Sequence, residues 1–208
     1  MNATVLSTNL AQPQPDPGGD DRVSGILKLP VPSIEVFTPG PDYGDGSGVR
    51  GDVIGDSQHH GGAQKAVYAF TREELDHWGY PDGYFGENLT TLGIELHELL
   101  INQQIRVGGA VLEVSVPRRP CRTFGAWLDR RGWMKTFTER ARPGSYFRVV
   151  SPGVITAGDD LDLIGSPGHD ITMEMAFRAK MGDRDLARRV VAAGCLPGPY
   201  HDELARLI

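Results

Sequence analysis

Residues 143–164 read PGSYFRVVSPGVITAGDDLDLI. Two β-forming runs, Tyr146 to Val150 and Leu161 to Ile164, are set off by the turn pairs Pro143-Gly144, Pro152-Gly153 and Gly158-Asp159. The same pattern recurs upstream. Val111 to Val116 (VLEVSV) alternates as a half-buried strand does, and Ala66 to Phe70 (AVYAF) reads as a buried strand. Ile26 to Phe37 alternates and predicts further short strands. Thr71-Arg-Glu-Glu74 fits a capping box that opens a short helix to Trp78. Short strands between Gly/Pro turns predict a small barrel or sandwich.

The flanks differ from this centre. Gln12 to Asp21 (QPQPDPGGDD) is expected to hold no regular structure, and Pro39 to Gly51 is a second breaker cluster. Beyond Ser166-Pro-Gly168 the chain predicts three short helices, Ile171 to Lys180, Arg184 to Ala193 and His201 to Ile208. Asp183 suits the cap of the second and Gly194 its left-handed end. Helices this short must pack on one another or on the barrel. The expected organisation is a flexible segment 1–21, a β-rich domain 22–166 and a three-helix extension 167–208, mostly β with α (α+β).

Composition narrows the function. The 208 residues include 27 Gly and 15 Pro, high for a helical bundle yet short of a disordered chain. A net charge of −6 argues against nucleic-acid or membrane-surface partners. Two cysteines, 74 positions apart, make no disulfide framework and suggest a reducing compartment, the cytoplasm. No apolar run approaches the roughly 18 residues that span a bilayer. Met1 to Leu10 has neither a basic residue nor a long apolar core and does not read as a secretory signal. Locally the charge reverses: Arg118 to Arg148 carries +7, leaving −13 on the other 177 residues. Such an island is either a solvated, salt-bridged face or an anion site.

Cys121 follows the VLEVSV strand in Pro117-Arg-Arg-Pro-Cys-Arg122. Two prolines stiffen that turn, and three nearby arginines favour thiolate over thiol. The setting suits a nucleophile or a soft metal ligand, with an idle cysteine as the alternative. Cys195 has no basic neighbour and reads as packing. His59-His60-Gly61-Gly62 matches no zinc spacing; its glycines could let amides line an anion, or the segment is a plain turn. Gly86-Glu87-Asn88-Leu89 offers an acceptor and an amide for a polar ligand, although it is also ordinary turn chemistry. P-loop, GxGxxG, Ser-His-Asp and CxxC patterns are absent.

In their order these elements resemble a family. The succession Gly25-Ile-Leu-Lys-Leu-Pro30, Gly51-Asp52, His60-Gly-Gly-x-x-Lys65-Ala-Val-Tyr68, Gly86-Glu-Asn-Leu-Thr90, Pro117-Arg-Arg-Pro-Cys121 and Arg142-Pro-Gly-x-Tyr146 is similar to the MOSC family. MOSC denotes the C-terminal domain of molybdenum cofactor sulfurases. The tail resembles the three-helix (3-alpha) extension of stand-alone bacterial members, and Pro39 to Gly48 looks like a lengthened loop. The resemblance implies a β-barrel-like core that binds a molybdenum–pterin cofactor, with Cys121 as the catalytic sulfur ligand to molybdenum. Lys28, His60, Lys65, Glu87, Asn88, Arg118 and Tyr146 fall at expected cofactor-binding positions, and the basic island becomes a candidate cradle for the pterin phosphate. No flavin, haem or iron–sulfur cluster is expected. The implied activity is reduction of small N-hydroxylated bases and related compounds, R–NHOH to R–NH₂, with electrons from a separate reductase. A non-catalytic cofactor carrier or sulfur-handling module would use the same residues, and a small β domain with a packing cysteine stays open. The helical tail either completes the core or an oligomer contact, a dimer included, or docks the electron donor.

Overall fold

A computed structural model describes residues 3–208; Met1 and Asn2 lie outside the described residues. Eight strands form one curled sheet, a half-barrel. In spatial order they are Leu161–Ile164 (β12), Gln104–Val107 (β8), Ala110–Val114 (β9), Ser145–Ser151 (β10), Val67–Thr71 (β6), Leu89–Leu92 (β7), Thr4–Ala11 (β1) and Lys28–Val31 (β4). Neighbours are antiparallel except β6 and β7, which run parallel and are joined across helix α1 (Arg72–Trp78). The chain entering β12 bonds back to β1: Val5 N donates to Asp159 O at 2.8 Å and Leu161 N to Ala3 O at 2.9 Å. These bonds curl the sheet and cover its β12 edge. Ser33–Val36 (β5) and Gly153–Thr156 (β11) pair as a small second sheet that lies against β1.

The alternation of β6 divides the interior. Val67 and Ala69 enter an aliphatic core with Leu89, Ile105, Leu112, Val114 and Phe147, while Tyr68 and Phe70 face an aromatic one. Both faces are covered, so every residue of β6 is buried. The aromatic layer is closed by two helices that the strand pattern did not predict, Arg122–Leu128 (α2) and Trp133–Arg140 (α3). Phe124, Trp133 and Phe137 pack edge-on or tilted on one another, and the first two also on Phe85, with ring centroids 5.0–5.6 Å apart.

The segment 1–21 is not the flexible arm expected. The alternation TVLSTNLA in β1 buries Val5, Ser7 and Asn9 and places the strand between β7 and β4. Even the proline-rich stretch pairs briefly, Gln14–Pro15 (β2) against Val23–Ser24 (β3). The capping box is half formed. Thr71 Oγ1 accepts from Glu74 N at 3.3 Å, but the Glu74 carboxylate turns to Arg140 and Arg142 at 2.6 and 3.1 Å.

The tail holds Met173–Lys180 (α4), Arg184–Ala193 (α5) and Gly198–Ala205 (α6). Asp183 caps α5 through Asp185 N and Leu186 N, and Gly194 ends it at φ 61°. Helix α6 starts three residues before the predicted position because Pro199 fits a first helical turn, where its missing N–H costs nothing. The tail is fastened to the barrel. Met173 N donates to Leu99 O at 2.8 Å, Ile101 N to Ile171 O at 3.0 Å, and the aliphatic core continues through Ala176, Ala187, Val190, Cys195 and Leu204.

Candidate functional site

After β9 the chain runs through Pro117-Arg-Arg-Pro to Cys121, which is the N-cap of α2. Its Sγ accepts from Phe124 N at 3.4 Å, the bond an N-cap serine would make with its oxygen. The half-buried thiol stands where two lobes of one cleft meet. The inner lobe runs past Lys28, Asp52 and Asn88. The outer lobe lies between the Pro117–Arg122 turn and the tail.

The fold brings six of the seven sequence-predicted binding residues to Cys121: Lys28, His60, Lys65, Asn88, Arg118 and Tyr146. Glu87 is the exception. It is fully buried away from the cleft, and its carboxylate accepts from Gly83 N at 2.5 Å, Phe85 N at 3.0 Å and Thr90 Oγ1 at 3.1 Å. Burial raises it to about 7. Glu87 therefore folds the loop that carries Phe85, Gly86 and Asn88. In the His-Gly-Gly segment His60 and Gly61 line the cleft, whereas Gly62 serves packing. Gly62 N donates to Gly46 O at 2.9 Å, and a Cβ at Gly62 would sit 2.2 Å from Asp42 O. The glycine there permits close approach of two loops.

Lys28 and Asp52 form a buried ion pair at 2.5 Å, and Asp52 also accepts from Ala11 N, Ser47 and Asn88 at 3.0–3.1 Å. Asp52 was visible only as part of a motif; its role as the hub of the inner lobe requires the fold. His59 is exposed and paired with Asp56, whereas His60 faces the cleft. Burial, then Lys65 and Arg118, lower His60 to about 3, so its imidazole is neutral. Burial, then Arg119 and Lys180, lower Lys65 to about 8. The Lys65 ammonium donates to His59 O at 2.7 Å and lies 4.7, 5.7 and 5.9 Å from the ring centroids of Tyr43, Tyr146 and Tyr200. Burial raises Tyr146 to about 12, so its hydroxyl keeps its proton.

Arg118 is 5 % exposed. Its guanidinium donates to Phe85 O and lies 4.8 Å from the Tyr68 ring and 4.0 Å from the Phe124 ring. Neither Arg118 nor Lys65 pairs with a carboxylate among the described residues. The rest of the basic island is largely neutralised: Arg140 and Arg142 on Glu74, Arg148 on Glu113, Lys135 on Glu139, Arg119 on Glu203 and Arg122 on Asp20. As a single phosphate cradle the island is corrected; it is mainly a salt-bridged face, and the unpaired charge at the cleft is Arg118 with Lys65.

Tyr43, Lys180, Tyr200 and Glu203 in the outer lobe had no signal in the sequence, because the first comes from the Gly-rich loop and the other three from the docked tail. Among the described residues no group of three or more His, Cys, Asp or Glu side chains converges to hold a bare metal ion. None of the helices described is long and apolar enough to cross a membrane.

The MOSC domain family matches residues 56–162. The protein YflK of Bacillus subtilis is 29 % identical over 187 residues, 86 % of this chain and 81 % of its own length. The protein YiiM of Escherichia coli is 28 % identical over 188 residues, 84 % of this chain and 80 % of its own. A protein of Gibberella moniliformis named "Reductase" is 30 % identical over 138 residues, 62 % of this chain but 24 % of that one. Among solved structures, YiiM from Geobacillus stearothermophilus superposes with a TM-score of 0.78 at 22 % identity, covering 99 % of this chain and 98 % of that one.

Proposed function

The chain belongs to the MOSC domain family, and from that premise we propose that it binds a molybdenum–pterin cofactor in the two-lobed cleft and reduces N-hydroxylated compounds. The observation that carries this reading is the lone thiol of Cys121 beside two cations that lack carboxylate partners, the buried Arg118 and the half-buried Lys65. Burying a cation without a counter-ion is costly, and an anionic ligand relieves the cost. A pterin phosphate and dithiolene sulfurs are such anions. A single thiol with no converging ligand cluster suits a metal that arrives with its own sulfur ligands.

The overall reaction is R–NHOH + 2 e⁻ + 2 H⁺ → R–NH₂ + H₂O. When bound, the molybdenum centre would supply the two-electron chemistry that breaks the N–O bond. The protein's residues do the rest. Cys121 offers the metal a soft thiolate, held in place by the cap bond from Phe124 N. Arg118, Lys65 and the Lys28–Asp52 pair set the charge of the cleft. The neutral His60 ring adds polar contact without charge, and Tyr146 presents a protonated hydroxyl. Burial and the neighbouring Arg119 and Lys180 lower Lys65 to about 8, so within the cleft it is assigned as the proton source for the departing water.

The oxidoreductase class draws support from the fungal relative named a reductase. Electrons are assigned to a separate reductase, since two cysteines are too few to hold an iron–sulfur cluster. Two free thiols favour a cytoplasmic working place.

The test is purification from cofactor-competent cells, followed by molybdenum and pterin analysis and an assay with an N-hydroxylated purine and a chemical electron donor. The reading expects about one molybdenum per chain and donor-dependent formation of the amine. Stoichiometric metal whose reduced paramagnetic signal is untouched by substrate would instead make the protein a carrier. Metal at background would overturn both.

A further inference from the structure

The outer lobe has a wall beyond the family's matched segment. The match ends at residue 162, yet Lys180 on α4 and Tyr200 and Glu203 on α6 line this lobe opposite the Cys121 turn. The wall is anchored from behind: Phe177, Ala179 and Leu204, on the same two helices, are each no more than 1 % exposed. Across the lobe the Tyr200 hydroxyl meets the Tyr43 hydroxyl at 2.5 Å, with the two rings nearly perpendicular at 81°. The lengthened Gly-rich loop and the tail are thereby tied together over Lys65.

The chemistry of this lobe is aromatic and positive. Tyr43, Tyr146 and Tyr200 supply ring surface. Lys180 and Arg119 both lie on the single carboxylate of Glu203, so one negative charge answers two positive ones. Lys65 adds a third cation with no carboxylate of its own. Tyr146, Lys65 and Cys121 belong to both lobes, so a ligand seated here abuts the thiol.

We propose that the outer lobe is a substrate subsite built by the C-terminal helices, and that it takes a planar aromatic ring carrying an anionic group. The ring stacks among the tyrosines and the anion lies toward Lys180 and Arg119. Calling the ligand a substrate rests on the functional reading above; its binding does not.

Isothermal titration of the full-length protein with adenosine 5′-monophosphate, adenosine and inorganic phosphate tests the subsite, with molybdenum content recorded for every preparation. The monophosphate should bind about tenfold or more tightly than either fragment. Lys180→Met should remove most of its advantage over adenosine. Tyr200→Ala should weaken the monophosphate and adenosine alike, while Tyr200→Phe preserves both and shows that the helix remains in place. Equal affinity for the three probes, no binding of the monophosphate, or affinities unmoved by both Tyr200→Ala and Lys180→Met would overturn the proposal. Failure of the functional reading shows separately, as a protein that discriminates the probes but carries no molybdenum.

Discussion

The buried guanidinium of Arg118 donates to the backbone carbonyl of Phe85 and not to a carboxylate. A full positive charge is thus held against a neutral dipole at the edge of the cleft. Replacing it with an apolar residue of similar length separates stability from binding. Arg118→Met loses one hydrogen bond and the contacts with Tyr68 and Phe124, and relieves the desolvation of an unpaired charge. Its melting transition should stay within about 1–2 kcal/mol of the parent. Cofactor retention should fall at least about tenfold, read as molybdenum per chain.

Cys121→Ser separates the observed cap bond of the thiol from its proposed role as molybdenum ligand. Serine is a strong N-cap, so α2 should be as stable as before or slightly more so by thermal melting. Turnover should fall by about 100-fold or more, beyond the 10–100-fold typical of losing a mere supporting partner of a metal ligand.

Lys65 links charge to pH. Its folded value of about 8 lies below the ordinary 10.5. Between these values the unfolded chain holds a proton that the folded chain has released, so the Lys65 contribution to stability rises with pH across that window. The positive charge at the cleft disappears over the same rise. Anion affinity should therefore decline above about pH 8 as stability climbs, and Lys65→Met should flatten both profiles. His60 acts on the acid side. It is lowered to about 3 from 6.5, so its contribution is lost progressively as pH falls from about 6.5 toward 3.

Glu87→Gln replaces a carboxylate oxygen with an amide, which cannot accept from all three donors that the loop presents. A loss of about 1–3 kcal/mol is expected in denaturant unfolding. Its folded value of about 7, above the ordinary 4.5, gives a contribution present below about 4.5 and lost as pH rises to about 7. That slope should vanish in the variant.

The tail closes the core, so Phe177→Ala should cost about 3–5 kcal/mol, measured by denaturant midpoint. A small effect would mean that α4 is only loosely docked.

Alternation and turn residues made most of the barrel legible. β6, β9, β10 and β12 fall on the runs that the sequence marks, and the tail helices lie within a few residues of their predicted places. Helices α2 and α3 escaped because their arginines read as a charge island. The buried set Phe124, Leu128, Trp133 and Phe137, spaced four, five and four apart, was the available signal. The strand Thr4–Ala11 was not legible because the prolines that follow it mark the segment as irregular. At the candidate site, the rigid turn that carries Cys121 was legible, and the fold places it at the cleft. Asp52 and Tyr200 were not legible, since their roles depend on chain segments distant in sequence.

The central claim, that Cys121 ligates molybdenum, is tested most directly by molybdenum K-edge X-ray absorption on cofactor-loaded parent and Cys121→Ser protein. One fewer sulfur neighbour is expected around the metal in the variant. An unchanged sulfur count in the two samples would contradict it.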